Sequence, residues 1–238
     1  MATDATTTTV NGKQSCIRNF STDETVVYHA MKSKSIDVLK EIGFLNNYSG
    51  KLVHDHETAL YHFGTGHAEC NVHIIWYLRK NTEETGNTWS RKMVNLLCGM
   101  NARRNRLKKQ GKLHFSKRKI RGYEEKYIEL ITKGQSENKK ISHKYAKPEE
   151  MALLNRMEKY MPNHLLFLHD FSVPFENNIS ERDLRKAKNR QKMSGGFRKE
   201  SGHEMYCSIL TIIETLKRRK IGLIENIKML FTGTPAIF

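Results

Sequence analysis

The segment PFENNISERDLRKAKNRQKMSGGFRKE, from Pro174 to Glu200, gathers groups suited to phosphoryl chemistry. Past Asn178 it reads as a helix, and from Arg182 to Lys199 it holds eight Lys or Arg against one Asp. Glu181 heads that run. Leu184, Arg185, Lys188 and Lys192 follow at helical offsets, so one carboxylate and three cations share a face. A plain reading exists: acids near a helix N-terminus complement the macrodipole, and Ser180 can cap. Glu181–Arg185 is also an ordinary i, i+4 pair, worth about 0.3–0.5 kcal/mol. The chemical reading is that Glu181 holds a metal ion while the cations hold a nucleic-acid backbone. Asp4, at the start of the first strand-like segment, and Asp55, at the end of a later one, fit it. In a sheet where those strands are neighbours, both carboxylates emerge together, and a helix packed beside them adds Glu181. Three carboxylates can hold two Mg²⁺ about 3.5–4 Å apart, which activate an attacking oxygen and stabilise the leaving oxygen of a phosphodiester. Spacing alone does not select these three from the chain's 25 acids.

The elements that must position them can be read from pattern. ATTTTV is β-branched, Asn11-Gly12 is a hairpin turn, SCIRNF is the returning strand and ETVVYHAM a third. SIDVLKEIG has Ile36, Leu39 and Ile42 at helical spacing and stops at Gly43, and GKLVHDH is a short strand ending at Asp55. Strands joined by hairpins, then helix, then strand, open an α/β fold with an antiparallel edge. After HAECNVHIIWYLRK the pattern turns helical: WSRKMVNLLCGMNARRNRLKK and GYEEKYIELITKG are amphipathic and basic, QSENKKISHKYAKP reads as a loop or linker, and EEMALLNRMEKYM resumes a helix near Pro148. MYCSILTIIETLKRRK is a helix with a buried face.

Charge is unevenly placed. The 238 residues carry a formal net charge of +16, an excess that attracts polyanions, nucleic acid first among them. Residues 1–75 hold six Lys or Arg against eight acids, whereas residues 102–148 hold sixteen against four. Carboxylates in one region and cations elsewhere suit a metal-dependent enzyme acting on DNA. Cys16, Cys70, Cys98 and Cys207 form no CxxC pair, which reads as free thiols in a reducing setting. MATDATTTTV lacks the features of a signal peptide, and no apolar run approaches the ~20 residues that span a bilayer. The expectation is a soluble, intracellular protein with no membrane partner.

In TDATTTTVNGK, LVHDHETALYHF, HAECNVHIIWYLRK and above all PFENNISERDLRKAKNRQKMSGGFR, the chain resembles transposases of insertion sequence family sixty-six, over nearly its whole length. The last segment has the family's acid-Asn-Asn, Glu-Arg, downstream Arg and Lys, and closing Ser-Gly, with Glu176 where the family usually has Asp. The resemblance implies a DDE transposase: an RNase H-like mixed sheet with flanking helices and a helical insertion. The implied domains are residues 1–75 and 166–238 as catalytic core, with the Glu helix in the second part, and 76–165 as basic insertion. It implies Asp4, Asp55 and Glu181 as catalytic and metal-binding triad, with two Mg²⁺ or Mn²⁺ ions. Arg182, Arg185 and Lys188 would handle phosphates. The implied partners are element ends and target DNA, with further copies of the chain on DNA and other proteins of the same element, in a bacterial cytoplasm. The family carries substantial segments ahead of this part, so the chain, with three residues before Asp4, reads as truncated and its first strand as shortened.

Other readings stay open. Arg190 and Lys192, and in the insertion Arg103, Arg104, Arg106, Lys108 and Lys109, are expected to contact DNA backbone with little sequence preference, or else to be a solvated charge run. His114, Phe115, Tyr123 and Tyr127 either stack on bases or, for the two Tyr, pack a helical core. His54, His56, His62, His67 and His73 with Cys70 include half of a zinc spacing, Cys70-x-x-His73, or else flank the active site; Trp76, Tyr77 and Leu78 are expected in the core. The alternatives in function are an RNase H-like nuclease that only hydrolyses, and an inactive remnant acting as a basic DNA-binding protein.

Overall fold

The computed structural model describes residues 1–232; the last residues of the interval 166–238 read as the end of the catalytic core, 233–238, lie outside them. The chain divides into two compact units, Met1–Thr65 with Asn178–Phe238, and Gly66–Asn177.

The first unit is built on strands β1 (Ala2–Val10), β2 (Lys13–Ser21), β3 (Val26–Met31) and β4 (Lys51–His54) in the order β3-β2-β1-β4. β2 is antiparallel to both neighbours and β1 runs parallel to β4, so the sheet is mixed. The β1–β2 turn is made by Asn11 (φ 48°) and Gly12 (φ 74°). Two positive φ values make a type I′ turn, whose twist matches the strands, which is why Asn-Gly marks it in the sequence. β1 pairs with β2 from Ala2 to Val10, so Asp4 sits inside a strand paired along its length with β2.

Alternation along β2 supplies both faces. Ile17 joins Val10, Val26 and Tyr28 against helices α9 (Asn178–Ser194) and α10 (Glu200–Arg218), through Leu184, Ala187, Cys207 and Leu210. Cys16 and Phe20 face the other way, toward Leu39 of α1 (Ile36–Lys40), Leu45 of α2 (Gly43–Asn46), and Leu60 and Phe63 at the 3₁₀ turn Thr58–His62. The helix read to end at Gly43 thus breaks and restarts there. The outer edge of β3 is blunted by α10: Thr215 Oγ1 accepts from Val26 N–H and donates to its carbonyl, and Thr211 Oγ1 accepts from Tyr28 N–H. A last helix, α11, spans Leu223–Phe231.

The second unit starts with β5 (Gly66–Glu69) and continues as α3 (Asn71–Thr85), α4 (Thr88–Lys109), α5 (Lys117–Asn138), α6 (Ala146–Lys159), α7 (Met161–His164) and α8 (Leu166–His169). HAECNVHIIWYLRK, read as preceding the helical region, is itself largely α3. That helix buries Leu78 but exposes Trp76 and Tyr77, contrary to their assignment to the core. Pro148 lies in the first turn of α6, where it breaks no helical hydrogen bond. QSEN belongs to α5 rather than to a linker. Gly134 lets α5 approach closely, since a Cβ there would meet Trp89 and Leu154. Tyr123 and Tyr127 are buried, as core packing requires, and so is Phe115, which removes it from base stacking.

This unit hides two carboxylates. Glu150 is buried and accepts hydrogen bonds from Asn81, Asn87, Asn138 and the Trp89 indole, at 2.6–3.0 Å. Glu69, also buried, pairs with Arg156 at 2.7 Å and His164 at 3.3 Å, and His164 Nδ1 meets the Tyr127 hydroxyl at 2.8 Å. Both acids carry the partners that a buried charge needs.

Candidate active site

Asp4 is the third residue of β1, Asp55 follows the last residue of β4, and Glu181 stands in the first turn of α9. β1 and β4 are parallel neighbours, with Ala2 opposite Val53, so the starts of β1 and the end of β4 lie at one end of the sheet. α9 packs on β1 and β2 because Ser180, Asp183, Leu184 and Ala187 form its buried face. That rotation leaves Glu181 half-buried at the margin of the sheet, and Arg182, Arg185, Lys188 and Lys192 exposed.

Asp55 and Glu181 bring ligand oxygens within 4.8 Å of each other. The Asp4 carboxyl is pushed above its ordinary value, first by burial and then by the negative charge of Asp55; the Ala5 N–H, Lys188 and Lys34 act the other way. Like charges disfavour each other's ionisation. The Asp4 carboxyl thus lies within reach of the Asp55 charge, and Asp55 and Glu181 are close. The Asp4 carboxylate accepts the Ala5 N–H at 2.7 Å, and the Glu57 N–H closes the turn after β4 onto the Asp55 carbonyl at 2.6 Å.

The chain matches the Transposase IS66 family over residues 1–205. It belongs to that family. No curated protein and no solved structure matches it.

For this transposase-family chain, the cations read from sequence separate into distinct environments. Arg182, Arg185, Lys188 and Lys192 project from α9 into solvent. Arg190 lies over the rings of Phe197 (4.6 Å) and Tyr206 (5.8 Å), so part of its role is packing. In the second unit, Arg103, Arg106, Lys108 and Lys109 are exposed on α4. Arg104 is a correction to the sequence reading. It is buried, and its Nη2 donates to the carbonyls of Phe171 (2.7 Å) and Val173 (2.6 Å). It stands one position outside the exposed stripe, and its guanidinium closes the chain beyond α8 rather than facing a phosphate.

The histidines divide similarly. His54 is wholly buried and meets Tyr61 edge-on, and His56 also contacts Tyr61. In the second unit Cys70 caps the start of α3, with its sulfur accepting the Asn177 N–H at 3.3 Å, and His73 packs on Trp76.

Sequence reading missed the polar groups behind the carboxylates. Asn19 and Arg18 on β2 are both fully buried. Asp183 accepts from Ser21 at 2.6 Å and pairs with Arg218. The usable signal was RN set between Ile17 and Phe20, since buried Arg and Asn require partners. Among the described residues, no helix is long and apolar enough to cross a membrane.

Proposed function

We propose that the chain is the catalytic region of a DNA transposase with an RNase H-like core, in which Asp4, Asp55 and Glu181 hold two divalent cations, Mg²⁺ or Mn²⁺. The observation that carries this reading is the meeting of Asp55 and Glu181, distant in sequence, within 4.8 Å, beside an Asp4 that senses the charge of Asp55. Family membership supports the same reading. These three donors are all carboxylate oxygens, which suit hard cations. Such ions, when bound, would activate the attacking oxygen and neutralise the leaving one.

The chain's own residues hold the strand. Arg185 and Lys188 stand about 6 and 10 Å along the α9 axis from Glu181, so phosphates flanking the cut can rest on them. Hydrolysis at an element end releases a 3′-hydroxyl. That hydroxyl then attacks a phosphodiester of target DNA, and the target's 3′-oxygen leaves. The exposed cations of α4 add sequence-independent affinity for backbone.

The test is a cleavage and strand-transfer assay on labelled element-end duplexes with Mg²⁺ or Mn²⁺. The unsubstituted protein should yield a nicked 3′-hydroxyl product and a joined product, and Glu181→Gln neither. Cleavage that persists in Glu181→Gln contradicts the reading. Nicking without joined product would make the chain a nuclease.

A further inference from the structure

We propose that Arg18 and Asn19, adjacent on β2, are the positioning residues of the carboxylate set, although β2 carries none of the three carboxylates. The inference rests on the reading of Asp4, Asp55 and Glu181 as metal ligands. Successive residues of a strand point to opposite faces, so one dipeptide can tie down both sides of the sheet.

On the face covered by α9, Asn19 Oδ1 accepts from the Asp4 N–H at 3.2 Å and from the Ser180 hydroxyl at 2.5 Å. Its Nδ2 donates to the Ser180 carbonyl at 2.9 Å and to Ser21 Oγ at 3.1 Å. One fully buried amide thus joins the backbone of Asp4 to the residue before Glu181. On the opposite face, Arg18 Nη1 donates to Thr3 Oγ1 at 3.1 Å, and Nη2 pairs with the Glu57 carboxylate. Thr3 precedes Asp4, and the Glu57 N–H closes on the Asp55 carbonyl. Arg18 therefore joins the Asp4 strand to the turn that presents Asp55. A connected path runs from Glu181 through Ser180, Asn19, Asp4, Thr3, Arg18 and Glu57 to Asp55.

Stability alone does not account for this arrangement. A fully buried guanidinium is costly to desolvate, and apolar packing of the same volume is often as stable or more so. What an apolar side chain cannot do is reach Thr3 and Glu57 together. Gathered carboxylates also repel before a cation arrives, and the hydrogen-bonded frame opposes their separation. In metal sites such outer partners orient the ligands and tune affinity.

The experiment compares Arg18→Lys, Asn19→Ala and the control Ser15→Ala, on the same strand as the first two, which removes a hydroxyl that donates to the Met31 carbonyl of β3. Mn²⁺ affinity is measured by calorimetry, turnover at saturating Mn²⁺, and duplex affinity separately, at a temperature where circular dichroism shows each variant folded. Arg18→Lys and Asn19→Ala should weaken Mn²⁺ binding about 10–100-fold and lower turnover, with duplex affinity held within about twofold. Ser15→Ala should lower the melting temperature and leave Mn²⁺ affinity unchanged. If Asn19→Ala does not fold, Ser180→Ala, which removes one bond to Asn19, takes its place and should show a several-fold loss. Folded variants that bind Mn²⁺ as tightly as the unsubstituted protein overturn the proposal. If uptake depends on Asp55 and Glu181 but not on Arg18 or Asn19, positioning alone fails. If the unsubstituted protein takes up no Mn²⁺, the carboxylate reading fails with it.

Discussion

Two sets of acids, one in each unit, are held in opposite ways. In the helical unit, Glu150 and Glu69 are buried among amide, indole, guanidinium and imidazole donors. In the sheet unit, Asp55 and Glu181 meet each other, and Asp4 is held above its ordinary pKa by burial and a like charge. An acid surrounded by donors is part of the frame. Acids brought together against their own repulsion are, on the proposed reading, a place for a cation that relieves it.

Substitutions that should break this comparison come first. Glu150→Ala leaves the donors of Asn81, Asn87, Trp89 and Asn138 facing no acceptor, and should cost at least about 4 kcal/mol, at roughly 1–3 kcal/mol per orphaned group. Glu181→Gln should abolish cleavage and leave the denaturation midpoint unchanged or raised, because one repulsive charge has gone. Equal losses of stability in a denaturant series would erase the distinction.

Arginines of α4 offer a smaller contrast. Arg104→Met should cost about 1.5–3 kcal/mol by removing a charged donor from two buried carbonyls. Arg103→Ala and Arg106→Ala should leave stability intact, weaken duplex binding on every sequence, and each reduce the salt slope by about one. Duplex titrations at several salt concentrations check this, and a large preference for element ends over random duplex would contradict backbone-only contact by these residues.

The smallest expected effect is a pH dependence of the sheet unit. Burial lowers the pKa values of His29 and His203 from their ordinary 6.5, with Glu200 opposing the shift at His203. Between that value and the lower folded value, the unfolded chain binds more protons, so stability falls as pH drops. The contribution is full above the unfolded value and is lost as pH falls from it toward the folded one. His203→Gln retains a donor for Thr8 Oγ1, which His203 meets at 3.3 Å, and should flatten part of that slope in thermal melts between about pH 7 and 5.

What was legible in the sequence followed from local chemistry. Asn11-Gly12 can make little other than a tight hairpin, and its two positive φ values form one. The segment motif, through family resemblance, suggested Asp4, Asp55 and Glu181, of which Asp55 and Glu181 come within 4.8 Å; their role is the proposal above. Arg104 was illegible because nothing in RRNR says which arginine meets the carbonyls of Phe171 and Val173, far along the chain. Arg18 and Asn19 were missed for the same reason: their partners are Glu57 and Ser180, and only the folded sheet makes them neighbours. Trp76 and Tyr77 misled because aromatic type suggests a core that α3 does not give them.

Anomalous scattering from a crystal grown with Mn²⁺ tests the central claim most directly. The account predicts manganese bound by carboxylate oxygens of Asp55 and Glu181 with Asp4 completing the set, and its loss in Glu181→Gln. Manganese absent from these carboxylates, or retained there in Glu181→Gln, would contradict it.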